Sequence, residues 1–392
     1  MRSHTIPNEE LRDRQQRLLD KAHDRGFAGI VLFRALNIQY LTGMSHQQTE
    51  RPCALGLTDE ARQIVVPRLE RDHADADRFE YDTVRTYFDY PQSEPMMAVR
   101  ELCKDLEIAS SSVLADTDGS PARYGYEGPP LSEIISGCVH TEDIVTSMRE
   151  VKSGTEIELV AEASRWGDFA QRRLQEKLTQ GRRPITIAYE VEGETTAAML
   201  DTLGTKYEMK NTHPVRCMFT AGPTTAEPHS VNGAPPIEDG DTIVTIITPT
   251  VSGYTAELER TLFVGEPDAN QRHYFEIMRE SQQIAFDTVA PGVEYATVEE
   301  AVMDYYDENG VRKYTQCHVG HNIGLESHER PYLDRGYEGR IREGELFTIE
   351  PGLYVPELGG FRHSDTIAVT SDGCTSLTSY PRDIESLTVT TN

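Results

Sequence analysis

The amino-acid sequence predicts a mixed α/β N-terminal domain followed by a larger domain built as two half-domains on one plan. Three observations predict this. The chain has 392 residues, room for two to three domains at roughly 150 residues each. Helical patterns and short apolar runs alternate up to about residue 145. The helix-then-strand pattern of 153–263 then recurs in 273–370, without a short tandem repeat.

Taken in order, residues 8–25 place Leu11, Leu18, Leu19 and Ala22 at helical spacing, with Gly26 as a stop signal. FAGIVLF is a buried-strand run, NIQYLTG follows, and ALGLT and ARQIVVP continue the strand pattern. A long helix is predicted from Ser153, because Glu156 three residues on completes a capping box. From residue 215, Gly- and Pro-rich turns alternate with the strands DTIVTIIT and ELERTLFVG. HYFEIMRESQQIAFDTVAPG reads as a second helical stretch, and ELFTIEPGLYVP and DTIAVTSDG as further turns and strands. No segment is low-complexity.

Charge excludes several function classes. The 65 Asp and Glu against 38 Lys and Arg give −27 at pH 7, which argues against nucleic acid or an anionic membrane as partner. Only seven cations are lysine, leaving 31 arginines; an acidic, lysine-poor surface is expected of a protein from a high-salt cytoplasm. The six cysteines are scattered without a CxxC pair and read as reduced thiols. The N-terminal stretch is polar and no apolar run approaches about 18 residues, so a cytoplasmic protein is expected.

Chemistry-bearing residues concentrate in the second half. AGPTTAEPHSVNG presents His229 between a Pro and a Gly-bearing turn. In GYTAELERT, Glu257 and Glu259 are two apart, on one face if the segment is a strand. HVGHNIGLESHE and TIEPG add His318, His321, His328 and Glu350. Several histidines with convergent carboxylates suit general acid–base work or a metal, whereas any one of these residues alone is more often a surface or hydrogen-bonded structural group. Trp166 reads as helix packing, and Cys317 as a neighbour of the His cluster.

In order and spacing, these segments resemble the pita-bread superfamily of Xaa-Pro dipeptidases, aminopeptidase P, methionine aminopeptidases and creatinase. MREVKSGTEIELV resembles the start of its catalytic domain, and GHNIGLESHERP, FTIEPGLYVP and FRHSDTIAVTSDG its later landmarks. The resemblance implies an α/β N-terminal domain over 1–147 and an α+β pita-bread catalytic domain over 148–392, with an internal two-fold repeat. It also implies a set of metal ligands: two Asp, one His and two Glu, which fall on Ile246, Glu257, His321, Glu350 and Ser364. Ile246 offers no lone pair, and Ser364 offers a neutral hydroxyl where hard dications prefer carboxylate oxygen. No dinuclear site and no cofactor are therefore expected; any metal would be a single, weakly held divalent ion on Glu257, His321 and Glu350.

The departures resemble metal-free creatinase, which shares the LERTLF run. That resemblance implies His229 as catalytic base and acid, Glu259 and Glu350 as binders of a cationic nitrogen group, and His321 and His328 as supporting catalytic groups. Arg51 is implied to hold a substrate carboxylate in the partner of a homodimer, with Arg330 or Arg335 as the second carboxylate arginine and Glu257 beside the substrate. The expected function is metal-independent hydrolysis of a C–N bond in a small zwitterionic substrate, such as a guanidino or cyclic-amidine carboxylate, ectoine among them. Two alternatives stand beside it: a divergent Xaa-Pro dipeptidase with an altered metal site, and a non-catalytic binding scaffold.

Overall fold

A computed structural model describes residues 4–390 except 75–78, 89–93, 122–127, 205–206, 208–209, 211–212, 231–232 and 234. The chain divides into two compact units at Arg149/Glu150. Among the described residues no helix is long and apolar enough to cross a membrane.

In the N-terminal unit six strands form one sheet: β1 (Gly29–Leu32), β2 (Ala54–Leu57), β3 (Arg62–Pro67), β4 (Thr83–Tyr87), β5 (Val113–Ala115) and β6 (Val139–Thr141). Their order is β4-β3-β2-β1-β5-β6. β1, β2 and β3 pair antiparallel, while β4, β5 and β6 join in parallel. Helix Pro95–Asp105 lays Met96, Val99, Leu102 and Cys103 on Val31, Ala54 and Val65 of the sheet. The leading helix, Asn8–His23, buries Leu11, Leu18, Leu19 and Ala22, the stripe its sequence spacing specifies. NIQYLTG, to which the sequence pattern assigns no element, is helical. It closes a short helix, Ala35–Thr42, which ends because Gly43 takes a left-handed φ of 77° and returns its N–H to Gln39.

The C-terminal unit repeats one plan twice: two helices, then three antiparallel strands. Helices Gly154–Lys177 and Pro184–Leu203 precede β7 (Val215–Ala221), β8 (Thr242–Val251) and, after the short β9 (Tyr254–Thr255), β10 (Leu258–Val264). Helices Ala269–Thr288 and Tyr295–Glu308 precede β11 (Gly320–Asn322), β12 (Glu329–Leu333) and β13 (Leu346–Ile349). The hairpin β14 (Gly352–Val355) and β15 (Gly359–Arg362) leads to β16 (Ser364–Thr370), with β17 (Gly373–Ser376) and β18 (Thr388–Val389) at the end. The sheet order β12-β11-β13-β16-β10-β8-β7 brings the halves together at β10 and β16.

Two features fix that junction. The long first helix starts on the Ser153–Glu156 capping box and lies flat on the sheet at Gly167, where a Cβ would already touch Pro249 and Leu258 at 3.4 and 3.6 Å. Behind β10, fully buried Arg260 pairs with Asp365 at 2.8 Å and donates to the carbonyls of Glu259, Ser364, Tyr380 and Pro381. Every N–H of that guanidinium thus meets oxygen, the condition for tolerating a charge in a core.

A net charge of −27 strains the folded state by self-repulsion, which salt screens. Raising KCl from about 0.1 to about 2 M is therefore expected to raise Tm, by about 2–4 °C for each kcal/mol recovered. Scanning calorimetry across that series checks it, and a Tm that falls or stays level would refute it.

Candidate metal and substrate site

The site grows out of strand register. Across the sheet Met218 lies opposite Ile246, Ile246 opposite Glu259, and Glu259 opposite Ser364. Directly opposed residues of antiparallel strands share a face, so these four form one row. Glu257, two residues before Glu259, shares the face. From the second half, β11 supplies His321 and the end of β13 supplies Glu350, whose N–H donates to the Val319 carbonyl at 2.7 Å. The approach of β11 requires glycine at 320, since a Cβ there would stand 2.0 Å from the Thr348 carbonyl oxygen. The Thr348 hydroxyl in turn receives the His321 N–H at 3.1 Å.

These groups face a cavity of about 580 Å³ lined by His229, Ile246, Glu257, Glu259, Glu350 and Arg362, with His318 and His328 at one wall and Arg216 and Met218 at another. His321 lies fully buried behind His328, the rings stacked with centroids 3.9 Å apart. Its Nδ1 donates to the Asn322 carbonyl at 3.0 Å, so Nε2 is the nitrogen turned to the site and becomes a ligand atom once its proton is displaced. That Nε2 is buried, has no hydrogen-bond partner among the described residues, and stands 3.3 Å from Glu350 Oε1. His318 Nε2 is 3.6 Å from the same oxygen. Asn322 is itself anchored by Lys152, whose ammonium also meets Glu329 at 3.1 Å.

The electrostatics follow from packing. Burial opposes charge on His321, but its contacts with Glu350 and Glu257 outweigh that and push it up to about 9. Burial and the neighbouring His321 push His328 down to about 4, so it is neutral at pH 7. Burial and the charge of Glu350 raise Glu257, whose Oε1 accepts from Ser364 Oγ at 2.9 Å. Glu350 moves the other way: burial works against its charge, yet His318, His321 and Arg362 hold it ionised. Arg362 grips Glu259 through both carboxylate oxygens, with Nη2 to Oε1 at 2.7 Å, and donates from Nη1 to Tyr354 Oη at 3.0 Å.

Three overlapping groups can hold a cation: Glu257, His321 and His328; His318, His321 and Glu350; Glu257, Glu259 and Glu350, the ligand atoms of each within 4.8 Å of one another. An orphaned His321 Nε2 beside two carboxylates fits one divalent ion. The donors do not fit a pair. Ile246 presents hydrocarbon at one bridging position, Ser364 has turned its hydroxyl onto Glu257, and both oxygens of Glu259 are taken by a guanidinium.

Of the expected site residues, the structure brings together His229, Glu257, Glu259, His321, His328 and Glu350. His229 lines the cavity from its segment, while residues 231–232 of the following turn lie outside the described residues. The arginines fare differently. Arg330 is not in the cavity wall and faces Glu150 at 3.4 Å, and Arg335 is bound to Glu299 at 3.3 Å; with carboxylates of their own, neither is a free carboxylate receptor. Arg51 belongs to the N-terminal unit, where its guanidinium pairs with Glu50 at 2.5 Å. Trp166 packs on Phe169 and donates to Glu162. Sequence reasoning missed Arg362 and Arg216. The FRHSD segment that carries Ser364 also carries Arg362, and strand alternation in VRCMFTA puts Arg216 on the face of Met218.

The fold and this donor set define a metallopeptidase scaffold. The pattern of metallopeptidase family M24 matches residues 158–371, and that of the creatinase/prolidase N-terminal domain matches residues 14–124. The chain belongs to metallopeptidase family M24. A Xaa-Pro dipeptidase of Pyrococcus horikoshii is 27% identical over 382 residues, covering 95% of this chain and 99% of the relative. The crystal structure of dipeptidase PepE from Mycobacterium ulcerans superposes with a TM-score of 0.80 at 26% identity, over 98% of this chain and all of the other. A Xaa-Pro dipeptidase structure from Bacillus anthracis gives 0.81 at 23% identity over the same shares.

These findings correct the sequence-based expectation of function. Full-length relatives are named Xaa-Pro dipeptidase and dipeptidase, so the creatinase-like, metal-independent hydrolase is not supported, and the shared LERTLF run does not carry it. The physical reason is local: the feature that drew Glu259 toward a cationic substrate is already answered by Arg362 of the same chain. The expectation of no cofactor is likewise unsupported, while the single divalent ion allowed beside it has candidate donors in the site.

Proposed function

We propose that the protein is a dipeptidase acting on Xaa-Pro-type dipeptides through an altered, single-metal site. The observation that carries this reading is the convergence, at the cavity of a family M24 domain, of the buried His321 Nε2 with Glu350 at 3.3 Å, with Glu257 joined to each of them in overlapping groups of possible ligands. A divalent ion held by His321, Glu350 and Glu257 would supply Lewis acidity toward a carbonyl and would lower the pKa of a bound water.

The chain's own groups do the rest. Asn322 fixes the His321 ring so that Nε2 faces the site. Glu350, held ionised, supplies the fixed negative charge. His328, neutral and exposed above His321, offers the departing proline nitrogen a hydrogen-bonding imidazole, and His229 offers a second from the opposite segment. The relatives named Xaa-Pro dipeptidases support the substrate class.

The test is proline release from Ala-Pro and Leu-Pro after loading with Mn²⁺ or Co²⁺, with and without chelator. Turnover lost on chelation and regained on reloading supports the reading. No release from any dipeptide under either condition sinks it in favour of a binding scaffold. Replacing His328 with Ala is expected to lower kcat by about 10²–10⁴-fold, the range for a lost acid–base group, with metal content unchanged; an unaltered kcat removes His328 from the reaction.

A further inference from the structure

One wall of the cavity carries a cation that the folded chain does not use. Arg216 and Met218 of β7 point to the same face, opposite Thr248 and Ile246 of β8, and all four line the cavity. Arg216 is exposed, and among the described residues its guanidinium has no hydrogen bond or ion pair. What sets Arg216 apart from surface arginines such as Arg173, Arg182, Arg272 and Arg340, which pair with carboxylates, is that it lines the cavity. The other arginine of the cavity, Arg362, is neutralised by Glu259. The carboxylates Glu257, Glu259 and Glu350 crowd the opposite side. The cavity is therefore polarised, with anionic groups at the β10 and β13 end and a permanent, unanswered cation at the β7 end.

Spacing suits a short substrate. β7 and β10 are separated by β8, hence by two strand spacings of about 4.8 Å, or about 10 Å. In an Xaa-Pro dipeptide the carboxylate carbon lies about 3 Å from the scissile carbonyl carbon. An arginine side chain leaning across Thr248 covers the remainder. We propose that Arg216 determines specificity for dipeptides by pairing with the free C-terminal carboxylate next to the scissile bond. This rests on the dipeptidase reading above and adds the group that measures substrate length: a longer peptide or an amide presents no charge at that point. A guanidinium takes both carboxylate oxygens in a planar fork, which a lysine ammonium cannot reproduce.

Calorimetric titration of L-proline and L-prolinamide into wild-type protein, Arg216→Ala and Arg216→Lys tests this without turnover. The wild type is expected to prefer proline by about 10- to 100-fold, as for one charge-assisted pair. Arg216→Ala should erase the preference and Arg216→Lys keep only part of it. In steady-state assays Arg216→Ala should raise KM for Ala-Pro by a similar factor, with kcat within about threefold, and leave KM for Ala-Pro amide unchanged. A preference for proline that survives in Arg216→Ala, a wild type with no preference, or an equal rise in KM for acid and amide would each overturn the assignment. Proline release by the wild type judges the dipeptidase reading separately; if neither substrate is cleaved, the reading falls while the titrations still decide the carboxylate site.

Discussion

Loaded with Mn²⁺ and freed of excess ion, the protein is expected to hold one equivalent per chain, and stripping it should lower proline release by at least about 10³-fold. Loss of Lewis acidity and of an activated water costs several kcal/mol of transition-state stabilisation, and each 1.36 kcal/mol is a factor of ten. The stoichiometry follows from register. A second ion needs donors from β8 and β16, and those strands present Ile246 and Ser364 on either side of Glu259. Glu259 itself is closed by Arg362, whose positive charge repels a dication at the same spot. The double substitution Ile246→Asp with Ser364→Glu adds two carboxylates to the row and is expected to raise the count to two. Mass-spectrometric metal analysis of both proteins reads the result. Two equivalents in the wild type, or one in the double variant, would show that register does not control the count.

Much of this arrangement was legible in the sequence, for identifiable physical reasons. The Ser153–Glu156 box predicted the start of the first long helix because capping is a local interaction. Glu257 and Glu259 were placed on one face by strand alternation alone, and both line the cavity. The recurring helix-then-strand plan appeared as two helix pairs, each followed by three strands, meeting at β10 and β16. What stayed hidden depends on distant partners. Nothing in ERPYLDRG says that Arg330 faces Glu150 while Arg335 is bound to Glu299. Likewise the grip of Arg362 on Glu259 joins residues 103 positions apart and depends on the turn from β15 into β16. That pair is what made the LERTLF run misleading: a carboxylate that reads as a receptor for an external cation already holds an internal one.

The same pair carries the largest expected effect on stability. Replacing Arg362 by Met should destabilise the protein by about 3–5 kcal/mol in chelator, the usual consequence of leaving one partner of a buried ion pair uncompensated. Glu259 would then face Glu257 and Glu350 with no fixed countercharge, three carboxylates whose ligand atoms lie within 4.8 Å of one another. Arg362→Met combined with Glu259→Met should recover most of the loss, since replacing both members by apolar groups removes the unpaired charge. The single variant should also gain what the wild type lacks, a stability that depends on a divalent ion. A cation bound by the freed carboxylates stabilises the native state by mass action, so added Mn²⁺ should shift the urea midpoint of Arg362→Met far more than that of the double variant. If Arg362→Met unfolds at the wild-type midpoint in chelator, the guanidinium is not the internal countercharge of this cluster. The account of why Glu259 is unavailable to a second metal would fall with it.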